Sequence, residues 1–196
     1  VEAGPDPVIC VPSGNFGNIC AGILAHASGL PVPHFIAACN ANDTVTQYLQ
    51  TGQMPVLQAV PTISNAMDVA DPSNFVRILE IFKHEFPALT SKLSSVSISD
   101  AETRSTIRSV YQEHHYMLDP HGAVAYLALQ RYLANHPDDR GIFLETAHPV
   151  KFPEAVESEI GHSIPVPAML SHLFSLKKKS IRMAADYSRL KEYLLS

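Results

Sequence analysis

The Ser-Gly-Asn-Phe-Gly-Asn segment at residues 13–18, hereafter loop 13–18, carries the residue types best suited to binding an anion. Its two glycines let the backbone turn sharply and approach a ligand closely, because no Cβ stands in the way. The loop precedes a predicted helix, whose free N–H groups and dipole favour negative charge at its start. Ser13, Asn15 and Asn18 add side-chain donors. The pattern predicts a phosphate site, with an ordinary strand-to-helix turn as the alternative.

Loop 13–18 differs from two common phosphate-binding motifs. A P-loop ends in Gly-Lys-Ser/Thr, whereas Gly17 is followed here by Asn18 and Ile19. The dinucleotide-binding fingerprint needs three glycines spaced G-x-G-x-x-G, and only Gly14 and Gly17 are present. The motif alone therefore leaves the identity of the phosphate open.

Two further polar clusters follow predicted strands. Residues 34–39 predict a strand that ends at Asn-Ala-Asn-Asp in residues 40–43, and residues 142–144 predict a strand that ends near Thr-Ala-His-Pro in residues 146–149. Ligands of parallel sheets bind at the carboxyl ends of the strands. We therefore expect both clusters to lie at the same edge of the sheet as loop 13–18.

The remaining pattern alternates strands with helices. A strand is predicted over residues 7–12 and a weak one over 96–99. Helices are predicted over residues 19–30, 43–50, 75–86, 100–116, 121–135 and 152–160, with one or two more over 168–195. This order predicts an α/β fold, a twisted parallel sheet with helices on both faces. We expect one domain over residues 1–161 and a helical appendage over residues 162–196.

The composition excludes several classes of protein. The chain has 196 residues, of which 46% are hydrophobic and 17% charged, as in ordinary globular proteins, and its net charge of −5 argues against a nucleic-acid surface. No apolar run approaches the roughly 20 residues that a membrane span needs. The three cysteines lie among apolar residues, which predicts buried thiols in a reducing compartment such as the cytoplasm. The chain begins at Val1 and reaches a predicted strand within a few residues, which favours a piece of a longer protein.

The ten histidines do not predict a metal site. Glu113-His114-His115 lies near His121 in the sequence, but no H-E-x-x-H or Cys/His zinc spacing is present. The segment Asp119-Pro120-His121-Gly122 is interpreted as the start of a helix. No metal is expected.

Five segments, in order along the chain, resemble threonine synthases and cover about residues 7–161. They are Val-Pro-Ser-Gly-Asn-Phe-Gly-Asn at 11–18, Asn-Asp-Thr-Val at 42–45, Ser-Asn-Ala-Met-Asp-Val at 64–69, Pro-His-Gly-Ala-Val-Ala-Tyr at 120–126 and Thr-Ala-His-Pro-Val-Lys-Phe at 146–152. The resemblance implies the fold of the tryptophan-synthase β-subunit group of pyridoxal-phosphate enzymes, fold type II. It also implies conversion of O-phospho-L-homoserine and water to L-threonine and phosphate.

The resemblance also assigns roles to residues of this sequence. Loop 13–18 (Ser13, Gly14, Asn15, Phe16, Gly17 and Asn18) would hold the 5′-phosphate of pyridoxal phosphate, and the Thr146 hydroxyl would face the pyridine nitrogen. On the substrate side the candidates are Asn42, Asp43, Asn65 and His148. Turn formation and helix capping explain Asn42 and Asp43 equally well, and packing against Pro149 explains His148 equally well.

One part of the family pattern is missing from this sequence. The family's Schiff-base lysine lies upstream of the phosphate loop in a Phe-Lys-Asp context, which none of the lysines present here matches, including Lys151. We therefore expect no catalytic residue in this chain and no turnover by it alone. Its expected partner is the missing N-terminal half of the same enzyme, and self-association stays open.

Two other functions remain as alternatives. The first is another enzyme of the same cofactor fold, such as a threonine dehydratase or a cysteine synthase. The second is a non-catalytic domain whose loop 13–18 takes any phosphate.

Overall fold

A parallel four-stranded sheet lies at the centre of the computed structural model, which describes residues 5–196. The strands are β1 (Val8–Pro12), β2 (Phe35–Cys39), β3 (Leu93–Ser97) and β4 (Gly141–Phe143), in the spatial order β3-β2-β1-β4. Cys10 is in register with Ile36 of β2 on one side and with Phe143 of β4 on the other. The carboxyl end of β1, where loop 13–18 begins, therefore lies between those of β2 and β4.

Nine α-helices and three short 3-10 turns occur in the described residues. The helices are α1 (Gly17–Ala27), α2 (Thr44–Thr51), α3 (Phe75–Ile81), α4 (Phe86–Lys92), α5 (Asp100–His114), α6 (Pro120–Asn135), α7 (Pro153–Ile160), α8 (Ser171–Phe174) and α9 (Tyr187–Leu195). The 3-10 turns are Asn65–Met67, Pro149–Lys151 and Ala168–Leu170.

Helices pack against both faces of the sheet. Side chains of a strand alternate between its two faces, so Phe35 and Ala37 of β2 pack in one apolar cluster with Ile19 and Ile23 of α1. Ile36 of the same strand packs on the other face, in a cluster that includes residues of α6. The predicted α/β fold with helices on both faces of a parallel sheet is confirmed.

The structure corrects several predicted boundaries. The helix predicted over residues 75–86 ends at Ile81, because Lys83 and His84 both adopt the left-handed conformation. The separate helix α4, which was not predicted, begins at Phe86 with proline in its first turn. The weak strand expected at residues 96–99 occupies Leu93–Ser97 instead.

The chain divides into two compact units, one ending at Ile164 and the other spanning Pro165–Ser196. The second unit contains α8 and α9, with no helix assigned between Ser175 and Asp186. The first four residues of the domain predicted over residues 1–161 lie outside the described residues. Each helix within residues 5–196 is too short or too polar to span a lipid bilayer. In the same residues, no group of three or more His, Cys, Asp or Glu is placed to hold a metal ion.

Candidate functional site

Loop 13–18 presents free backbone donors at the start of α1. Phe16, the residue before the helix, has φ 60°, is 4% exposed and packs edge-on against Phe75 with ring centroids 5.6 Å apart. Left-handed backbone is unfavourable for a residue with a side chain, and burial of the Phe16 ring offsets that cost. The first intrahelical bond runs from the Cys20 N–H to the Phe16 carbonyl at 3.1 Å.

This geometry leaves three backbone N–H groups at the start of α1 without a hydrogen-bond acceptor in the described part of the chain. Within residues 5–196, no acceptor receives a hydrogen bond from the N–H of Gly17, Asn18 or Ile19, and no side chain caps the helix. Such donors at a helix start, together with the positive end of the helix dipole, suit a phosphate dianion. The loop therefore fits a phosphate group on the chemistry of its donors.

Two other segments brace loop 13–18. Gly14 rests on the 3-10 turn Asn65–Met67, where an added Cβ would lie 2.5 Å from the Met67 Cα. The Asn15 side-chain oxygen accepts hydrogen bonds from the Ser73 N–H at 2.7 Å and its hydroxyl at 3.0 Å. Since those bonds occupy the oxygen, the amide NH₂ of Asn15 is the part of its side chain that can donate to a ligand.

Ser13 and Asn18 differ in how their side chains are used. The Ser13 hydroxyl is buried and donates to the Val11 carbonyl at 2.8 Å, so its hydrogen is committed within the loop. Asn18 is exposed at the helix start. Of the three side-chain donors expected in the loop, Asn15 and Asn18 are therefore the ones available to a ligand.

The cluster after β2 forms a hydrogen-bonded network. One oxygen of Asp68 accepts from the side-chain amides of Asn40 at 2.9 Å and Asn42 at 3.1 Å. Asn42 also accepts from the Val60 N–H at 2.8 Å, while Asp43 accepts from the Gln47 amide at 2.8 Å. These contacts indicate that Asn42 holds the segment 60–68 in place.

The cluster after β4 follows directly on the sheet. The Leu144 N–H donates to the Cys10 carbonyl at 3.0 Å, which extends the pairing with β1 to two residues before Thr146. Thr146 is exposed. His148 is exposed too, and its Nδ1 accepts from the Val150 N–H at 3.1 Å, capping the 3-10 turn Pro149–Lys151.

Asn65 lies beside a cavity. The cavity has a volume of about 400 Å³, and its lining includes Asn65, Arg104 and Lys151. Arg104 also donates to a Glu159 carboxylate oxygen at 3.3 Å. The cavity thus brings two basic side chains next to this substrate-side candidate.

A buried acid–imidazole pair, Asp119 and His121, lies at the start of α6. The sequence predicted only a helix start there. Asp119 caps the helix by accepting from the His121 N–H at 2.9 Å, and its carboxylate also lies 2.6 Å from His121 Nδ1. Both side chains are almost completely buried. The capping pattern could be seen in the sequence, but it does not reveal the second contact of the imidazole.

Glu145 adjoins this pair. A Cβ at Gly122 would overlap the Glu145 carboxylate, so the Glu145 side chain would have to move to admit a larger residue there. Partial burial, reinforced by the neighbouring Asp119 carboxylate, raises the pKa of Glu145. Burial would raise the pKa of Asp119 as well, but hydrogen bonds from His121 and Glu145 outweigh it and hold that pKa below its ordinary value. Of the two carboxyl groups, that of Asp119 is therefore the ionised one.

Comparison with known families matches most of the chain. Residues 1–145 match the family described as pyridoxal-phosphate dependent enzyme. Residues 122–194 match the C-terminal region of threonine synthase.

Individual relatives agree with these matches. The threonine synthase of Haemophilus influenzae is 45% identical over 194 residues, covering 99% of this chain and 45% of that protein. The crystal structure of threonine synthase from Escherichia coli superposes with a TM-score of 0.88 at 41% identity, covering 99% of this chain and 44% of that one. A PLP-bound threonine synthase from Brucella melitensis gives a TM-score of 0.83 at 29% identity, with 96% and 46% covered.

The resemblance to threonine synthases is thus confirmed in sequence and in fold, and the cofactor of the matching family is pyridoxal phosphate. The chain spans less than half the length of the relatives it matches.

Proposed function

Because the chain belongs to the family of pyridoxal-phosphate-dependent enzymes, we propose that it forms the C-terminal part of a threonine synthase. The complete enzyme converts O-phospho-L-homoserine and water to L-threonine and phosphate. The identity with threonine synthases over nearly the whole chain supports this choice. The observation that carries the binding role is the set of three N–H groups at the start of α1 that have no acceptor among residues 5–196.

Loop 13–18 binds the cofactor through its phosphate. The N–H groups of Gly17, Asn18 and Ile19 donate to the dianion, and the amide of Asn15 is placed in the same loop to add a donor. Hydrogen bonds to a charged acceptor contribute about 1.5–3 kcal/mol each. When bound, pyridoxal phosphate supplies an electron sink for negative charge that develops on the substrate.

Thr146 orients the ring from the end of β4. Its neutral hydroxyl exchanges a hydrogen bond with the pyridine nitrogen but adds no negative charge that would hold this nitrogen protonated. That distinguishes the site from one in which a carboxylate pairs with the ring nitrogen. The Asn42 network and the cavity beside Asn65 are then assigned to the substrate side of the cleft.

The chain alone lacks the covalent anchor of the cofactor, so we infer that it does not turn over. The test is to incubate it with O-phospho-L-homoserine and pyridoxal phosphate and to assay released phosphate. We expect no release above the protein-free control. Clear catalysis would overturn the assignment of the lysine to the missing half.

Product analysis separates the enzyme alternatives. The longer protein that contains this chain is expected to yield threonine and phosphate from O-phospho-L-homoserine. Formation of 2-oxobutyrate from threonine, or of cysteine from an activated serine, as the main reaction would refute the assignment.

Calorimetry with this chain distinguishes a cofactor-binding domain from a non-catalytic domain that binds any phosphate. We expect pyridoxal phosphate to bind more tightly than inorganic phosphate, because only the cofactor also reaches Thr146. Equal affinities for the two ligands would instead favour a domain that takes any phosphate.

A further inference from the structure

The His121 imidazole uses both ring nitrogens inside the protein. Nδ1 lies 2.6 Å from the Asp119 carboxylate, and Nε2 lies 3.2 Å from the backbone nitrogen of Ala66, 55 positions away in the sequence. The residue is 2% exposed, and its ring packs on that of Phe152 with centroids 4.8 Å apart. The imidazole therefore joins the start of α6 to the 3-10 turn Asn65–Met67.

These partners decide where the proton of the imidazole lies. A backbone N–H can only donate, so the Nε2 that faces Ala66 must be the unprotonated acceptor. The ionised Asp119 carboxylate can only accept, so Nδ1 must carry the hydrogen. The arrangement requires the neutral Nδ1–H tautomer, and a second proton on the ring would place two donors face to face.

The turn that His121 holds is the support of loop 13–18. Met67 and Ala66 lie so close to Gly14 that an added Cβ would be 2.5 Å from the Met67 Cα and 3.1 Å from the Ala66 carbonyl oxygen. Met67 is buried, and the turn closes with a 2.9 Å bond from its N–H to the Ser64 carbonyl. A displacement of Ala66 is therefore transmitted to Gly14, three residues before the free N–H groups of α1.

We propose that His121 is a positioning residue for the phosphate-binding loop: its Nδ1–H imidazole, oriented by Asp119, holds Ala66 and the turn 65–67 against Gly14. His121 itself touches no ligand in this scheme. The inference rests on the proposed function for the identity of the ligand, which is pyridoxal phosphate. It adds a residue far along the chain to the machinery that sets the affinity for that ligand.

The first test uses the unmodified chain without ligand. Nitrogen-15 spectra of the histidine side chains distinguish a ring nitrogen that carries hydrogen from one that does not. At neutral pH we expect His121 to show a protonated Nδ1 and an unprotonated Nε2. A protonated Nε2, in either the neutral or the charged ring, would overturn the proposal.

The second test compares three substitutions at the same position. In His121→Gln the amide oxygen can take the place of Nε2 and accept from Ala66, whereas His121→Asn reaches only towards Asp119 and His121→Leu can do neither. We expect the Asn and Leu variants to bind pyridoxal phosphate roughly tenfold or more weakly, the loss of about one charge-assisted hydrogen bond. The Gln variant should recover most of that loss. Equal affinities in the Gln and Asn variants would contradict a role through Ala66.

A readout without ligand separates this inference from the proposed function. The amide resonances of Gly14, Gly17 and Asn18 should move in His121→Asn and stay near their original positions in His121→Gln. If the unmodified chain bound no pyridoxal phosphate, the binding role proposed for loop 13–18 would fail, but these shifts would still decide whether His121 positions the loop. Unmoved loop amides in a folded His121→Asn variant would overturn the positioning role.

Discussion

Gly14→Ala tests the contact on which loop 13–18 depends. The new methyl carbon would lie 2.5 Å from the Met67 Cα, whereas ordinary van der Waals contacts begin near 3.4 Å. Loop and turn must therefore separate by about 0.9 Å. The obstacle is backbone on both sides, so no side chain can rotate away to relieve it.

Two magnitudes follow from this separation. Overpacking a tight site costs about 1–3 kcal/mol, and stiffening the unfolded chain by removing a glycine returns about 0.4–1 kcal/mol. We therefore expect a net loss of roughly 1–2 kcal/mol in the free energy of unfolding. If the movement breaks one N–H bond to the phosphate, pyridoxal phosphate should bind roughly 10- to 100-fold more weakly.

Urea denaturation followed by circular dichroism measures the first effect, and titration with pyridoxal phosphate measures the second. Gly17→Ala is the matched control for stability, because its new Cβ would meet only the end of the Asn74 side chain, at 3.3 Å, rather than the backbone of another segment. That variant should be as stable as the original or slightly more stable, since alanine favours a helix over glycine. A Gly14→Ala chain that matched the original in both stability and affinity would refute the packing argument.

Three further predictions concern single side chains. Burial raises the pKa of Cys10 to about 12 and that of Cys39 to about 11. Neither thiol should therefore react with a disulfide reagent at pH 8 until urea unfolds the chain, and rapid labelling of these thiols in the native chain would contradict this. Glu145→Gln should become more stabilising relative to the original chain as pH rises from the usual pKa of glutamate towards the raised folded value, because folding then obliges Glu145 to take up a proton. Thermal melts at pH 5 and pH 8 check the sign, and a reversed trend would count against the raised pKa of Glu145. Thr146→Val should change the free energy of unfolding by no more than about 0.5 kcal/mol, since the side chain is exposed. It should weaken pyridoxal phosphate binding about two- to tenfold, the value of a neutral hydrogen bond. Unchanged affinity would remove Thr146 from the site.

Local patterns predicted the elements that position loop 13–18. The apolar run before Ser13 and the glycines that follow it are enough to indicate a buried strand, a turn and a helix. The fold class followed from the alternation of such units along the chain. In these cases short-range preferences and the final structure agree, so the sequence carries the information locally.

The helix boundary after Ile81 could not be predicted in the same way. Lys83 and His84 adopt left-handed backbone although neither is a glycine, and no turn residue marks the break. The predicted strand at residues 96–99 begins three residues after the true start of β3 at Leu93, because Leu-Ser-Ser-Val-Ser is weakly apolar. Its pairing with β2 and the bond from the Ser95 hydroxyl to the Ala37 carbonyl at 2.9 Å compensate in the folded chain.

Long-range contacts account for what was missed at the candidate site. Asp119 can be identified in the sequence as a helix cap, but the bond from Ala66 to His121 joins segments 55 positions apart. The Asn42 side-chain amide likewise donates to Asp68, 26 positions away. No local preference contains such pairings, since only the packed fold brings these atoms together.

The most direct test of the proposed binding role is a titration of the chain with pyridoxal phosphate, followed residue by residue through its backbone amide resonances. The proposed binding role predicts saturable shifts at Gly17, Asn18 and Ile19, whose N–H groups have no acceptor within the described residues, together with a shift at Thr146. Saturable shifts that avoid the start of α1, or that reach it and leave Thr146 unmoved, would contradict it.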